Sequence, residues 1–194
     1  MIGGQLQDLA ESGVLECSQM VIAVAVPQQH ANLNAYEYPA IHSLYRMAMS
    51  EPDEAARNHL FLYFHTKGMV NHGKFKTRVD RRLFYATIVP WRAIAQQFIE
   101  NSSIRAAGWL PSTDGFVWFN FWRVRRNYVK QLDEPKRVTE RHWFESWIGK
   151  GPEEVRNATK VLSTCTCDFR SVAINNVRKA ASKCKTVTPS TCMP

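Results

Sequence analysis

The sequence predicts an α/β fold, three layers built around a mostly parallel sheet whose first strand is missing. Three observations carry that expectation. Residues 60–64, Leu-Phe-Leu-Tyr-Phe, form an apolar run too short for a membrane span and without polar alternate positions, as in a strand buried on both faces. Apolar residues at helical spacing stand on either side of it, at Ile41, Leu44, Tyr45 and Ala48 and again at Phe84, Ile88, Trp91, Ala95 and Phe98. The chain also opens helix then strand, whereas the repeating unit of such a sheet begins with a strand, so one is expected upstream of Met1.

Taken in order, residues 2–12 place Leu6, Leu9 and Ala10 on one helical face, with Gly13 as the stop. Residues 20–26, rich in Val and Ile, read as a strand ending at Pro27. A polar and aromatic loop over 32–39 leads to Pro39, which suits the first turn of the helix through Ala48. That helix crosses to the central strand, 60–64. From Asp80 to Glu100 the apolar stripe predicts one helical face, which Pro90 must kink or divide. A short strand over 104–109 and a turn at Pro111-Ser-Thr-Asp-Gly115 follow. Residues 116–122 then read as a second fully apolar strand with Asn120 in its middle. A buried Asn needs partners, so it is a structural clamp or a ligand contact. Arg123, Arg125 and Arg126 are expected to open a helix running through Tyr128, Val129 and Leu132. Thr139 caps another that carries Trp143, Phe144, Trp147 and Ile148 and stops at Gly149.

At 194 residues with 45% hydrophobic composition, the chain is long enough for one well-cored domain, assigned to residues 1–150. Residues 151–194 are expected to be a short helix and a poorly ordered tail rich in Cys, Ser, Thr and Lys. The formal charge of +8 divides evenly: 18 Lys/Arg against 14 Asp/Glu before residue 151, and 7 against 3 after it. A mildly basic core fits an anionic ligand, and charge alone does not separate a nucleotide diphosphate from nucleic acid. Cys17 stands apart from Cys165, Cys167, Cys184 and Cys192, a pattern that matches neither a compact disulfide scaffold nor common zinc modules. No apolar run approaches the roughly 20 residues of a membrane span. No signal peptide is evident either, so a cytoplasmic location is expected.

Open α/β sheets place ligands beyond the carboxyl ends of their strands, where His65, Thr66, Lys67 and Gly68 emerge from the central run. His65 and Lys67 point the same way by strand parity and suit contact with a diphosphate. No P-loop, dinucleotide loop or Gly-x-Ser-x-Gly elbow is present, which weakens the nucleotide-dependent kinase and hydrolase classes. The interleaving of Trp118 and Trp122 with Arg123, Arg125 and Arg126 fits stacking and phosphate contacts for single-stranded nucleic acid. It equally fits core tryptophans with a solvated arginine face, which is the preferred reading for Phe119, Phe121 and Arg126; Trp118 and Trp122 stay open, because flat aromatics also pack on sugar rings. Glu145 lies among Trp143, Phe144 and Trp147, a setting that raises a carboxyl pKa and fits it for proton transfer, against the bland alternative of a surface Glu on an amphipathic helix.

Four stretches in one order, Tyr63-Phe-His-Thr-Lys-Gly68, Trp91-Arg92, Gly115-Phe-Val-Trp-Phe-Asn-Phe-Trp122 and Arg141-His-Trp-Phe-Glu-Ser-Trp-Ile-Gly149, resemble small glycosyltransferases of bacteria, algae and large viruses. The resemblance spans about residues 5 to 150. It implies a GT-A-like fold, a nucleotide-sugar donor and transfer of the sugar to a glycan or glycoprotein acceptor. Donor binding is expected at His65, Thr66, Lys67, Gly68, Asn120 and Trp122. Acceptor binding is expected at Trp118, Asp114 and Arg141, with Glu145 as the catalytic carboxylate. GT-A enzymes hold a divalent metal, manganese or magnesium, with an Asp-x-Asp at a strand end. Here that end is His65-Thr66-Lys67, which leaves two alternatives: His65 as a metal ligand, or the Lys67 charge in place of a metal. The other class to be weighed is a non-catalytic carbohydrate- or nucleic-acid-binding domain, with nucleic acid the less favoured partner.

Overall fold

The computed structural model describes residues 2–24, 37–50, 59–65, 83–109, 111–112, 116–138, 140, 143–152 and 160–163. Among them are helices α1 (Ile2–Glu11), α2 (Tyr38–Ser50), α3 (Trp91–Glu100), α4 (Arg126–Val129) and α5 (Trp143–Trp147). The strands are β1 (Leu60–Tyr63), β2 (Ile104–Gly108), β3 (Trp122–Arg125) and β4 (Lys160–Ser163). A further helical turn spans 83–87.

Helix and strand are mixed as expected, but the described sheet is not mostly parallel. Its order is β1-β3-β2-β4; β3 runs antiparallel to both β1 and β2, and only β2 and β4 pair in parallel. β1, β2 and β4 therefore share one direction and β3 opposes them. β1 was expected at the centre and lies at an edge of the described sheet, with only Tyr63 of its four residues fully buried. Its apolar alternation nevertheless serves two faces. Phe61 and Tyr63 join a core with Ile41, Leu44 and Ala48 of α2, Trp122 and Val124 of β3, and Phe144 and Trp147 of α5. On the other face Leu62 packs with Leu9, Phe84, Ile88 and Trp91, and Leu60 with Ile94, Phe98 and Ala107. Helices thus cover both faces, which is why β1 carries no polar position.

Local signals held where backbone chemistry is strict. Gly13 has φ of +71° just past α1, in the left-handed region that glycine enters without a Cβ penalty. Pro39 sits in the first turn of α2, and Pro90 divides the turn 83–87 from α3. On α3 the buried positions are Trp91, Ile94 and Phe98, with Ile94 rather than Ala95 facing the core. The strand expected over 20–26 is not formed at 20–24, where Met20, Val21 and Ile22 are exposed in irregular chain. β-branched residues favour a strand only through a neighbouring ladder, and none of the described strands pairs with them. β4 falls inside the stretch expected to be a tail, so the sheet reaches past residue 150. Cys17 packs beside the Leu9 cluster and is disulfide-bonded. No helix among the described residues is long and apolar enough to cross a membrane.

The arginines expected on a solvated helix face are turned inward. Arg123 and Arg125 lie on β3, not on a helix, and Arg126 of α4 is fully buried. The Arg123 guanidinium, 5% exposed, donates to the Thr87 carbonyl from Nε at 3.3 Å and Nη2 at 3.2 Å, and to the Ile88 carbonyl at 3.5 Å. Arg125 donates to the carbonyls of Ile104 at 2.7 Å, Asn101 at 3.2 Å and Phe98. Each arginine closes the C-terminal carbonyls of one helix, 83–87 and α3 respectively, where the helix dipole favours a cation. Burial alone pushes the Arg123 pKa down to about 9.

Candidate functional site

Because three strands share a direction, their carboxyl ends meet at one end of the sheet. Tyr63 closes β1 and Gly108 closes β2, both paired with Trp122, the first residue of β3; Ser163 closes β4 beside Gly108. His65 leaves this row two residues beyond β1. The stretch entering β3 supplies the rest, and it is not the continuous strand that its apolar sequence predicts. Residues Trp118–Asn120 form a 3-10 turn, with Phe119 at φ 69° and ψ 3° and Asn120 at φ 54°. Two successive non-glycine residues in the left-handed region carry strain that surrounding contacts must overcome.

Those contacts converge on Asn120, which is fully buried. Its side-chain amide donates to Glu37 Oε2, and its Oδ1 accepts from the Trp122 indole Nε1 at 3.1 Å. Both ends of the amide are occupied by groups of opposite hydrogen-bonding sense, so its orientation is fixed. Asn120 is therefore the clamp of the two alternatives. His65 Nε2 lies 3.2 Å from the Phe119 carbonyl oxygen and 3.5 Å from Glu37 Oε1. Both neighbours are acceptors, so Nε2 carries the ring proton. His65 is 23% and Glu37 15% exposed at the side chain, a partly shielded pair. Tyr63 stacks on Trp122 at 4.8 Å and on His65 at 6.1 Å. Its phenol pKa is raised well above the ordinary value, by burial first and by the Glu37 carboxylate second.

Local sequence explains the arrangement. Glu37 immediately precedes α2 and its carbonyl accepts from the Ile41 amide at 3.0 Å, so the carboxylate stands at the positive end of that helix. Gly108 lets residues 117–121 cross the end of β2: a Cβ there would overlap Val117 Cγ1 and stand 3.0 Å from the Phe121 carbonyl oxygen. The Ser112 amide donates to the Phe116 carbonyl at 2.7 Å, closing the preceding turn.

Of the expected site residues, the structure gathers His65, Asn120 and Trp122. Trp122 is fully buried between Tyr63 and Trp147, so it serves the site through Asn120 rather than by touching a ligand. Trp118 is 47% exposed on the turn itself. Glu145 is half-buried on α5, the helix that packs against this turn, between the buried Phe144 and the core face of Trp147. Thr66, Lys67, Gly68, Asp114 and Arg141 lie outside the described residues, as does Thr139. Sequence reasoning missed Glu37. The signal was present, an acid between two tyrosines one residue from a helix start, and it was read only as part of a loop. Among the described residues no three His, Cys, Asp or Glu side chains gather as a metal centre would require. His65 turns Nε2 toward two oxygens, the Phe119 carbonyl and the Glu37 carboxylate.

No family model, curated protein or solved structure matches the chain.

Proposed function

We propose that the chain is a glycosyltransferase on a GT-A-like scaffold, moving a sugar from a nucleotide-sugar donor to an acceptor hydroxyl. The observation that carries this reading is the Glu37–His65–Asn120 cluster at the end of the sheet where β1, β2 and β4 all terminate. Ligands in open α/β sheets bind at that end. The four motifs that resemble small glycosyltransferases add to it, since two of them, around His65 and Asn120, meet there. In the proposed reaction the acceptor oxygen bonds to the anomeric carbon as the bond from that carbon to the diphosphate oxygen breaks. The leaving electron pair stays on the nucleoside diphosphate, whose charge Lys67 offsets. The acceptor proton passes to the Glu145 carboxylate. Glu37 holds His65 and Asn120 in place. No step is assigned to a metal.

The test is thermal-shift and calorimetric titration of the full chain against nucleoside diphosphates, nucleosides and nucleotide sugars, with and without manganese. Binding to the native state must raise the melting temperature. One diphosphate is expected to bind, and Lys67→Ala is expected to weaken it more than the matching nucleoside. No stabilisation by any member of the panel would remove the reading. Glu145→Gln is expected to depress transfer by about 100-fold or more with donor affinity kept.

A further inference from the structure

Trp118 is the only exposed residue among the chain's six tryptophans, at 47%. Its position is imposed by the backbone. In a continuous strand over 116–122, Trp118, Asn120 and Trp122 would share one face, the face on which Trp122 is fully buried. The left-handed conformations of Phe119 and Asn120 break that alternation and leave Trp118 outside, while the Glu37–Asn120–Trp122 hydrogen bonds hold the turn in its strained form. The ring itself is fixed by an edge-on contact with Phe116, centroids 5.0 Å apart at 71°. A strained backbone and an exposed large aromatic are each unfavourable, and here one produces the other beside the polar cluster.

We infer that Trp118 is a stacking platform for a sugar ring of the acceptor, so that the acceptor is a glycan. The inference rests on the glycosyl-transfer reading for the word acceptor, and on the turn alone for the platform. An exposed aromatic also suits a nucleobase, but single-stranded nucleic acid needs a cationic groove alongside the stacking rings. Among the described residues, the arginines next after the turn are committed elsewhere. Arg123 and Arg126 are buried, Arg125 is bound to the carbonyls of Phe98, Asn101 and Ile104, and Lys150 sits 4.5 Å above the Trp143 ring. The flat C–H face of a pyranose needs no such groove.

The experiment titrates the full chain with maltotriose, cellotriose and chitotriose, without donor, reading binding by calorimetry in parent and variants and, in the parent, tryptophan emission and its quenching by acrylamide. One trisaccharide is expected to protect the quenchable tryptophan. Trp118→Ala is expected to weaken that binding about tenfold, the size of one aromatic contact, while Trp118→Phe retains part of it and uridine diphosphate binding and melting temperature stay unchanged in both. Unaltered trisaccharide binding in Trp118→Ala overturns the platform. So does a parent chain that binds none of the three, or one in which oligothymidylate alone protects the ring. A chain that binds trisaccharide at Trp118 but no nucleoside diphosphate keeps the platform and fails the transfer reading; the reverse result fails the platform only.

Discussion

Glu37 and Asn120, 83 residues apart in the chain, are joined by a hydrogen bond from the Asn120 side-chain amide to the Glu37 carboxylate. The bond ties the start of α2 to the turn before β3. Removing the carboxylate leaves a fully buried amide short of an acceptor, and a hydrogen bond to a charged group is worth about 1.5–3 kcal/mol. Glu37→Ala is therefore expected to lower stability by about 2 kcal/mol in urea denaturation, and Glu37→Gln, which can still accept, by less. Equal midpoints for Glu37→Ala and the parent would show that the bond does not hold the turn.

The left-handed pair gives a second test. Phe119→Gly removes backbone strain of about 1 kcal/mol or more, against a similar entropic cost for glycine. Its stability is expected to match the parent within about 0.5 kcal/mol or exceed it. Val117, two residues earlier, is extended at φ −117° and fully buried, so Val117→Gly is expected to cost about 3 kcal/mol. Similar losses for both would show that Phe119 is not strained.

Gly108→Ala is expected to destabilise by about 1–3 kcal/mol, because the new methyl meets Val117 Cγ1. Trimming the neighbour in Gly108→Ala/Val117→Ala is expected to cost less than the sum of the two single changes. Strict additivity in that double-mutant cycle would remove the steric account.

Tyr63 predicts an alkaline effect. Its folded pKa is raised above the unfolded value of about 10, so above that pH the native state keeps a proton that the unfolded chain gives up. The stabilisation this proton carries is complete below about pH 10 and is lost as the pH climbs toward the folded pKa. Tyr63→Phe keeps the stacking on Trp122 and lacks the proton. Parent and variant denaturation curves, compared from about pH 8 to 11, are expected to separate only above about pH 10, with the parent losing stability faster. Parallel curves would contradict the shift.

β4 supplies a fifth comparison. A chain ending before Lys160 strips the parallel ladder from β2, and one ending after Ser163 keeps it. The shorter chain is expected to melt several degrees lower. Coincident melting curves would place β4 outside the cooperative unit.

Much of this architecture was readable from residues whose physics is local. Gly13, Pro39 and Pro90 act through backbone geometry within a turn, and each marks a boundary where expected. Of the stripe Phe84, Ile88, Trp91, Ala95 and Phe98, all but Ala95 are buried, because helical spacing sorts inward from outward positions even though Pro90 divides the segment and the residues join two clusters. Residues 116–122 misled because their apolar composition fits a strand, while the deciding partner, Glu37, is remote in sequence. Strand direction was equally hidden: an apolar run records burial on two faces and says nothing of which way its neighbours run. Arg123 and Arg125 looked solvated because a cation's inward turn depends on helix ends 24 to 36 residues away. At the candidate site, His65 was singled out from its place after a buried strand. Asn120 was found as a lone amide among aromatics, and Glu37 was overlooked because an acid in a loop has no periodic signature.

The two arginine caps also bear on how the chain assembles during synthesis. The turn 83–87 is far too short to hold as an isolated helix, and the ten residues of α3 are below the length at which isolated helices persist in water. Both leave the ribosome before the cations that close them, since Arg123 meets a carbonyl 36 residues upstream. Neither cap can form until β3 has emerged. Translational pausing between residues 100 and 123 would lengthen the interval in which the apolar faces of Phe84, Ile88 and Phe98 are uncovered, the period when a chaperone has most to hold.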